Sequence, residues 1–188
     1  MEMKQGAILI DGAGLDNAFG WLYKNYPSHQ PRPLLFDIPY VSLMHLGPIL
    51  IDASEGSALY LAWTQGAEGL RNSVWLETIQ PIDQIFSSLQ QRLQVRSPDG
   101  RTLWLRMADA RPLRKAWEVG AEWPAGFWYG ISSVWLLSDG EPRLAWINEE
   151  PGLDCAPRAD SANKQIMLDW PLLEALAQGT DNLEEVPT

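Results

Sequence analysis

The sequence predicts an α/β domain, a mixed β-sheet flanked by helices, followed by a smaller variable C-terminal lobe of helix and strand. Three observations lead there. Short apolar runs stop at turn residues, helical stripes of apolar residues alternate with those runs, and Pro98-Asp99-Gly100 and Asp139-Gly140 mark hairpin turns. A chain of 188 residues with 46% hydrophobic side chains can bury one core without disulfides or structural metal.

Taken in order, Ala7-Ile8-Leu9-Ile10 reads as a strand buried on both faces and ending at Asp11-Gly12. Leu15, Ala18, Phe19, Leu22 and Tyr26 recur at helical spacing until Pro27 and the Pro-containing stretch 28–33. After Leu34-Leu35-Phe36 come a short helical turn over 41–46 and a second buried strand, Ile49-Leu50-Ile51, stopped by Asp52. Ser57 is placed to cap a helix carrying Leu59, Ala62 and Trp63. Residues 73–79 form a third strand, with Trp75 and Ile79 on one face and Val74 and Leu76 on the other. Pro81 opens the clearest helix, whose stripe is Ile82, Ile85, Phe86, Leu89 and Leu93. Segments 93–97 and 102–107 flank the first hairpin turn, and Asp109 caps a short helix with Leu113, Ala116 and Trp117. From Trp123 the chain turns aromatic and β-branched, through Phe127-Trp128-Tyr129-Gly130 and a strand over 131–137, returning at Leu144-Ala145-Trp146-Ile147. A Pro- and Gly-containing loop over 149–163 precedes a last helix, with Asp169 as N-cap, Leu172, Leu173 and Leu176 on its face and Gly179 as its stop. The acidic tail 180–188 is expected to fray.

Charge excludes several functions. The net charge of −10 argues against general nucleic-acid binding and against anionic membranes, where Lys and Arg must neutralise phosphates. It is also unevenly placed: residues 1–138 carry 11 basic and 13 acidic groups, residues 139–188 carry 3 and 11. Within the first part, 92–115 holds seven basic residues against Asp99 and Asp109. A locally basic segment followed by an acidic one fits contact within the chain, faces for different partners, or an unevenly charged solvated surface. One cysteine, Cys155, rules out an internal disulfide framework and fits a reducing compartment. No apolar run approaches the roughly 20 residues of a membrane span, and no secretory signal opens the chain, so a cytoplasmic protein is expected.

Motifs for chemistry are sparse. There is no Gly-x-Ser-x-Gly elbow, and a catalytic dyad would need His29, in a Pro-flanked loop, or His45, in an apolar turn. Nothing around Cys155 would depress its pKa. Gly12-Ala13-Gly14 lacks the third glycine of a dinucleotide fingerprint and reads as a tight strand-to-helix turn. No His or Cys pair has zinc spacing. The enzymatic alternative is a metal-assisted hydrolase. Asp11, Asp52 and Asp109 each follow an apolar strand, and α/β sheets gather ligands at strand carboxyl ends, though Asp is equally a helix cap. No cofactor is called for.

Ten tryptophans are the unusual feature. Indoles are seldom wholly buried and are enriched at protein interfaces. Trp104 shares a strand face with Arg106, and Trp123, Phe127, Trp128 and Trp135 lie in the aromatic region, so these six are the candidate partner-binding residues. Core packing and a stacking platform for sugars are the competing readings.

Several of these segments together resemble a known family. Ala7-Ile8-Leu9-Ile10-Asp11-Gly12-Ala13, the helix over 82–93, Val95-Arg96-Ser97-Pro98-Asp99-Gly100 and Leu105-Arg106-Met107-Ala108-Asp109-Ala110-Arg111-Pro112-Leu113 are similar to the effector-loading adaptor chaperones of bacterial type VI secretion. Phe127-Trp128-Tyr129-Gly130-Ile131 looks like a divergent copy, lacking the proline, of that family's closing Phe-x-Gly-Pro-Ile segment. The resemblance implies an α/β adaptor domain over residues 7–137 and an acidic, variable lobe and tail over 138–188. It further implies a non-enzymatic, monomeric cytoplasmic protein that binds a toxic effector and loads it onto the spike protein VgrG. Asp11, Arg106, Asp109 and Arg111 match motif positions, with structural roles expected: an ion-pair or cap network joining strand end to helix. Neutral or basic partner segments would suit the acidic lobe.

Overall fold

The structure, a computed structural model, describes residues 3–36 and 39–178. Six strands form the main sheet: β1 (Gly6–Asp11), β2 (Arg32–Pro33), β3 (Pro48–Asp52), β4 (Val74–Thr78), β7 (Ile131–Ser138) and β8 (Glu141–Ile147). Their order is β2-β3-β1-β4-β7-β8, and every neighbouring pair is antiparallel. A second sheet has the order β6-β5-β9, from β5 (Gln94–Arg96), β6 (Thr102–Trp104) and β9 (Ile166–Met167). There β5 pairs antiparallel with β6 and parallel with β9, so the mixed character lies in this smaller sheet.

Strand alternation divides the core into two. Ile8, Ile10, Ile49, Ile51 and Trp75 face α1 (Ala18–Asn25) and α2 (Ala58–Thr64), which contribute Ala18, Leu22, Leu59 and Trp63. Ala7, Leu9, Leu50, Val74, Leu76, Val134 and Leu136 face α3 (Ile82–Gln90), α4 (Ala110–Glu118), α5 (Trp170–Ala177) and the small sheet. The central strands are hydrophobic on both sides because both sides are covered. Each fully buried Leu or Ile there contributes about 1.5–3 kcal/mol. Gly6 lets the Trp75 ring lie against the chain, since a Cβ there would sit 2.6 Å from the indole.

Local signals set most boundaries. Ser57 accepts from the Tyr60 amide, Asp109 from the Arg111 amide and Asp169 from the Leu172 amide, each opening a helix. Asp139 and Gly140, at φ 53° and 78°, join β7 to β8 in a left-handed hairpin turn. Gly12 makes the sharp turn after β1; its amide donates to the Gly47 carbonyl, and a Cβ would lie 2.6 Å from the carbonyl oxygens of His45 and Gly47. That crowding accounts for the glycine. Residues from 138 onward complete both sheets and the core, through β8 on β7, β9 on β5 and α5 against α4. The expected helix stop, Gly179, and the tail 180–188 lie outside the described residues.

One irregularity positions a side chain. Leu144 stands opposite Trp135 and Trp146 opposite Val134, so Ala145 is an extra residue in β8. This bulge shifts the alternation: Leu144 and Trp146, two apart, project to opposite faces. Trp146 thereby reaches the face shared with Trp123 rather than the one shared with Trp135.

Candidate functional site

The four motif residues come together at the carboxyl end of β1. Arg106 donates to Asp11 at 2.6 Å and lies 3.3 Å from Asp109. Arg111 approaches Asp109 with two guanidinium nitrogens, at 3.0 and 2.8 Å. The Asp109 carboxylate is 1% exposed and also accepts the Arg111 amide. Hydrogen bonding and charge from Asp109 raise the Arg111 pKa further. With its oxygens taken up by two arginines and a helix start, Asp109 fastens α4 to β1 through Arg106. A cleft of about 550 Å³ beside it is lined by Asp11, Glu68, Arg71, Asn72 and Arg111, among others.

The three-aspartate metal site does not form. Asp11 is opposite Pro48 and Asp52 opposite Ala7, four residues away along β1, which is ~14 Å at the strand rise. In an antiparallel pair neighbouring strands finish at opposite ends of the sheet, so Asp11 and Asp52 cannot converge as they would in a parallel one. Among the described residues no group of three or more His, Cys, Asp or Glu side chains is placed to hold a metal. The hydrolase alternative built on these residues is therefore corrected.

Neither histidine faces a nucleophile. His29 Nδ1 donates to the Asp52 carbonyl at 2.8 Å, and His45 is exposed in its turn. Burial pushes the Cys155 thiol up, opposed in part by Arg92 and reinforced by Asp154.

The six expected partner-binding residues divide. Phe127 is wholly buried and Trp128 only 4% exposed, so both belong to the core. Trp104 is half-buried, edge-on to Tyr40 at 4.8 Å. Arg106 belongs to the network above. Trp135 is half-buried; its indole donates to Ser133 Oγ, which donates to Glu77, while Lys4 lies over its ring. Trp123 is half-buried and stacks on Phe127 at 4.6 Å. With Trp128 and Trp146 it lines a pocket of about 340 Å³ rimmed by Glu122, Glu149 and Glu150. The Trp146 indole donates to the Ala121 carbonyl, whereas those of Trp123 and Trp128 find no acceptor among the described residues.

Sequence reasoning did not single out a second surface, at the opposite edge of the sheet. Phe19, Tyr23, Pro31, Pro33, Met44 and Phe86 are among the residues lining an apolar groove of about 690 Å³ along β2. The adjoining 3₁₀ turn, Val41–Leu43, and its flanks expose Val41, Leu43, Met44 and Leu46. Phe36 and Tyr23 are about half exposed, at 49% and 57%. Contiguous aromatic and methionine surface of this kind is rare on monomers and typical of interfaces. The available signal was the density of apolar residues in a stretch with neither strand nor helix periodicity.

Comparison with known proteins places the chain. Residues 8–124 match the family described as a domain of unknown function, DUF4123. The chain belongs to the DUF4123 family. This is the family of type VI secretion adaptors that the motifs resemble, and membership associates the chain with that machinery. The chain is 26% identical over 130 residues to the accessory protein VasW of Vibrio cholerae serotype O1. That alignment covers 69% of this chain and 42% of VasW, so the chain spans about two fifths of the length of this relative. No solved structure matches. Among the described residues no helix is long and apolar enough to cross a membrane.

Proposed function

We propose that the chain is a non-catalytic adaptor of type VI secretion, which binds a toxic effector in the cytoplasm, delivers it to the VgrG spike and dissociates before secretion. The observation that carries this reading is a pair of unlike surfaces at opposite edges of one sheet. The apolar groove follows β2 at one edge, and the aromatic, acid-rimmed pocket adjoins β8 at the other, five strand spacings or ~24 Å away. That separation allows two partners to bind at once without competing.

The surfaces are assigned by their place in the chain. The groove lies within the family match at 8–124, where a component common to many members is expected to dock, so it is given to the spike. Most of the pocket lies beyond residue 124, and it is given to the effector. Each surface needs roughly 800 Å² per partner for a stable complex, so both must extend beyond their cavities.

Co-expression with a candidate type VI effector from the same organism tests the reading. The effector is expected to become soluble only with the chain present and to co-elute with it in size exclusion. An effector equally soluble alone, with no complex on the column, overturns the adaptor reading.

A further inference from the structure

The pocket beside β8 joins an aromatic wall to an acidic rim. Trp123 meets Trp128 at 5.0 Å and Trp146 at 5.8 Å, both edge to face. Glu122, Glu149 and Glu150 are exposed on the rim, and among the described residues none forms an ion pair. No Lys or Arg lines the pocket. Carboxylates around a low-dielectric wall concentrate negative potential, and indoles attract cations to their faces. A carboxylate or phosphate ligand would be repelled. The indole N–H groups of Trp123 and Trp128 are buried behind this wall and find no acceptor among the described residues, so neither is offered to a ligand.

We infer that this pocket receives a lysine or arginine side chain from a basic segment of the effector, its methylene stem against the tryptophans and its cationic head among Glu122, Glu149 and Glu150. The inference rests on the adaptor reading and adds the chemistry of the effector's docking segment. The neighbouring edge of β8 disfavours an added strand, because Pro142, the Glu141–Arg143 ion pair and the bulge at Ala145 all interrupt it. Recognition therefore falls to the side chain in the pocket. A second copy of this chain would bring one acidic rim against another, on a protein of net charge −10.

The test measures affinity of the full chain for the full-length effector by calorimetry over a range of salt. One variant reverses the rim, Glu122→Lys with Glu149→Lys and Glu150→Lys. A control makes the same charge change at exposed acids outside the pocket lining, Asp16→Lys with Asp160→Lys and Glu174→Lys. The rim variant is expected to bind at least about tenfold more weakly and with a flatter salt dependence, the control within about threefold of the parent. Circular dichroism verifies the fold, and neutral Gln replacements at the same three positions should give an intermediate loss. Equal losses in both variants reduce the effect to net charge and overturn the inference. Unchanged binding in both overturns it too but leaves the adaptor reading standing, as does a rim variant that loses only self-association. A parent chain that binds no effector overturns both.

Discussion

Arg92 gives the sharpest test of how the aromatic wall is held. Its side chain is wholly buried, yet it sits one residue beyond the cap of α3. The guanidinium donates to the carbonyls of Ser88 at 2.9 Å and Gly126 at 3.1 Å, to that of Phe127, and to Asp154 at 2.6 Å. It also packs over the Phe127 ring. One cation thus pins the loop at 124–128 and the loop at 150–156 to the end of α3. In Arg92→Met the stem is retained while the Ser88 and Phe127 carbonyls lose this donor and the buried ion pair with Asp154 is broken; the Gly126 carbonyl keeps the Cys155 amide and Asp154 keeps the Ala156 amide. Stranding a buried acceptor costs about 1–3 kcal/mol. Relief of the guanidinium's desolvation and water reaching the loosened loops offset part of the total, so the expected loss is about 4 kcal/mol, as for a broken buried ion pair. For a domain of this size that is a melting point lower by roughly 8–16 °C. Asp154→Asn, at a side chain 38% exposed, should cost about 1 kcal/mol. Urea unfolding followed by tryptophan emission measures both, and the Arg92→Met spectrum should shift to the red as Trp123 and Trp128 gain water. A cost under 1 kcal/mol for Arg92→Met, or a larger one for Asp154→Asn, would refute the reasoning.

Three further outcomes are expected. Asp109→Ala should lower stability by about 2–3 kcal/mol, from a lost cap, an Arg111 left without its carboxylate and the broken link from α4 to Arg106, whereas Asp11→Ala should cost below about 1 kcal/mol; equal costs would contradict the role of Asp109 as the anchor. Asp99 should titrate below the ordinary Asp range by carboxyl NMR, because the Ser97 hydroxyl and Arg101 hydrogen-bond its ionised form. Its contribution to the hairpin is then present above the unfolded-state pKa and lost as pH falls through the folded value, and Ser97→Ala should raise the midpoint. Cys155, its thiol pushed up by burial, should be alkylated near pH 8 at least about tenfold more slowly in the native chain than in urea; equal rates would contradict its placement.

What the sequence disclosed was what acts locally. Ser57, Asp109 and Asp169 cap helices through amides two or three residues away, and Asp139-Gly140 sets its turn by itself. Burial of the central strands on both faces followed from unbroken apolar runs such as Ala7-Ile8-Leu9-Ile10. Strand partners did not follow, and with them went the distance between Asp11 and Asp52. An arginine at a helix end reads as solvated, and nothing near Arg92 announces that three of its four acceptors lie 34, 35 and 62 residues onward. Phe127 and Trp128 look like surface aromatics until the loop is fastened over them, and Trp146 joins their face only through a bulge that leaves no sequence mark. The motif residues Asp11, Arg106, Asp109 and Arg111 were legible as a group from the resemblance; their geometry came from the fold.

The central claim is that one chain holds two partners at opposite edges of its sheet. Size exclusion with light scattering on a mixture of the chain, its effector and the spike tests it most directly. The account predicts one ternary species containing all three, with Met44→Asp in the apolar turn releasing the spike and keeping the effector. Two binary complexes that displace one another would contradict it.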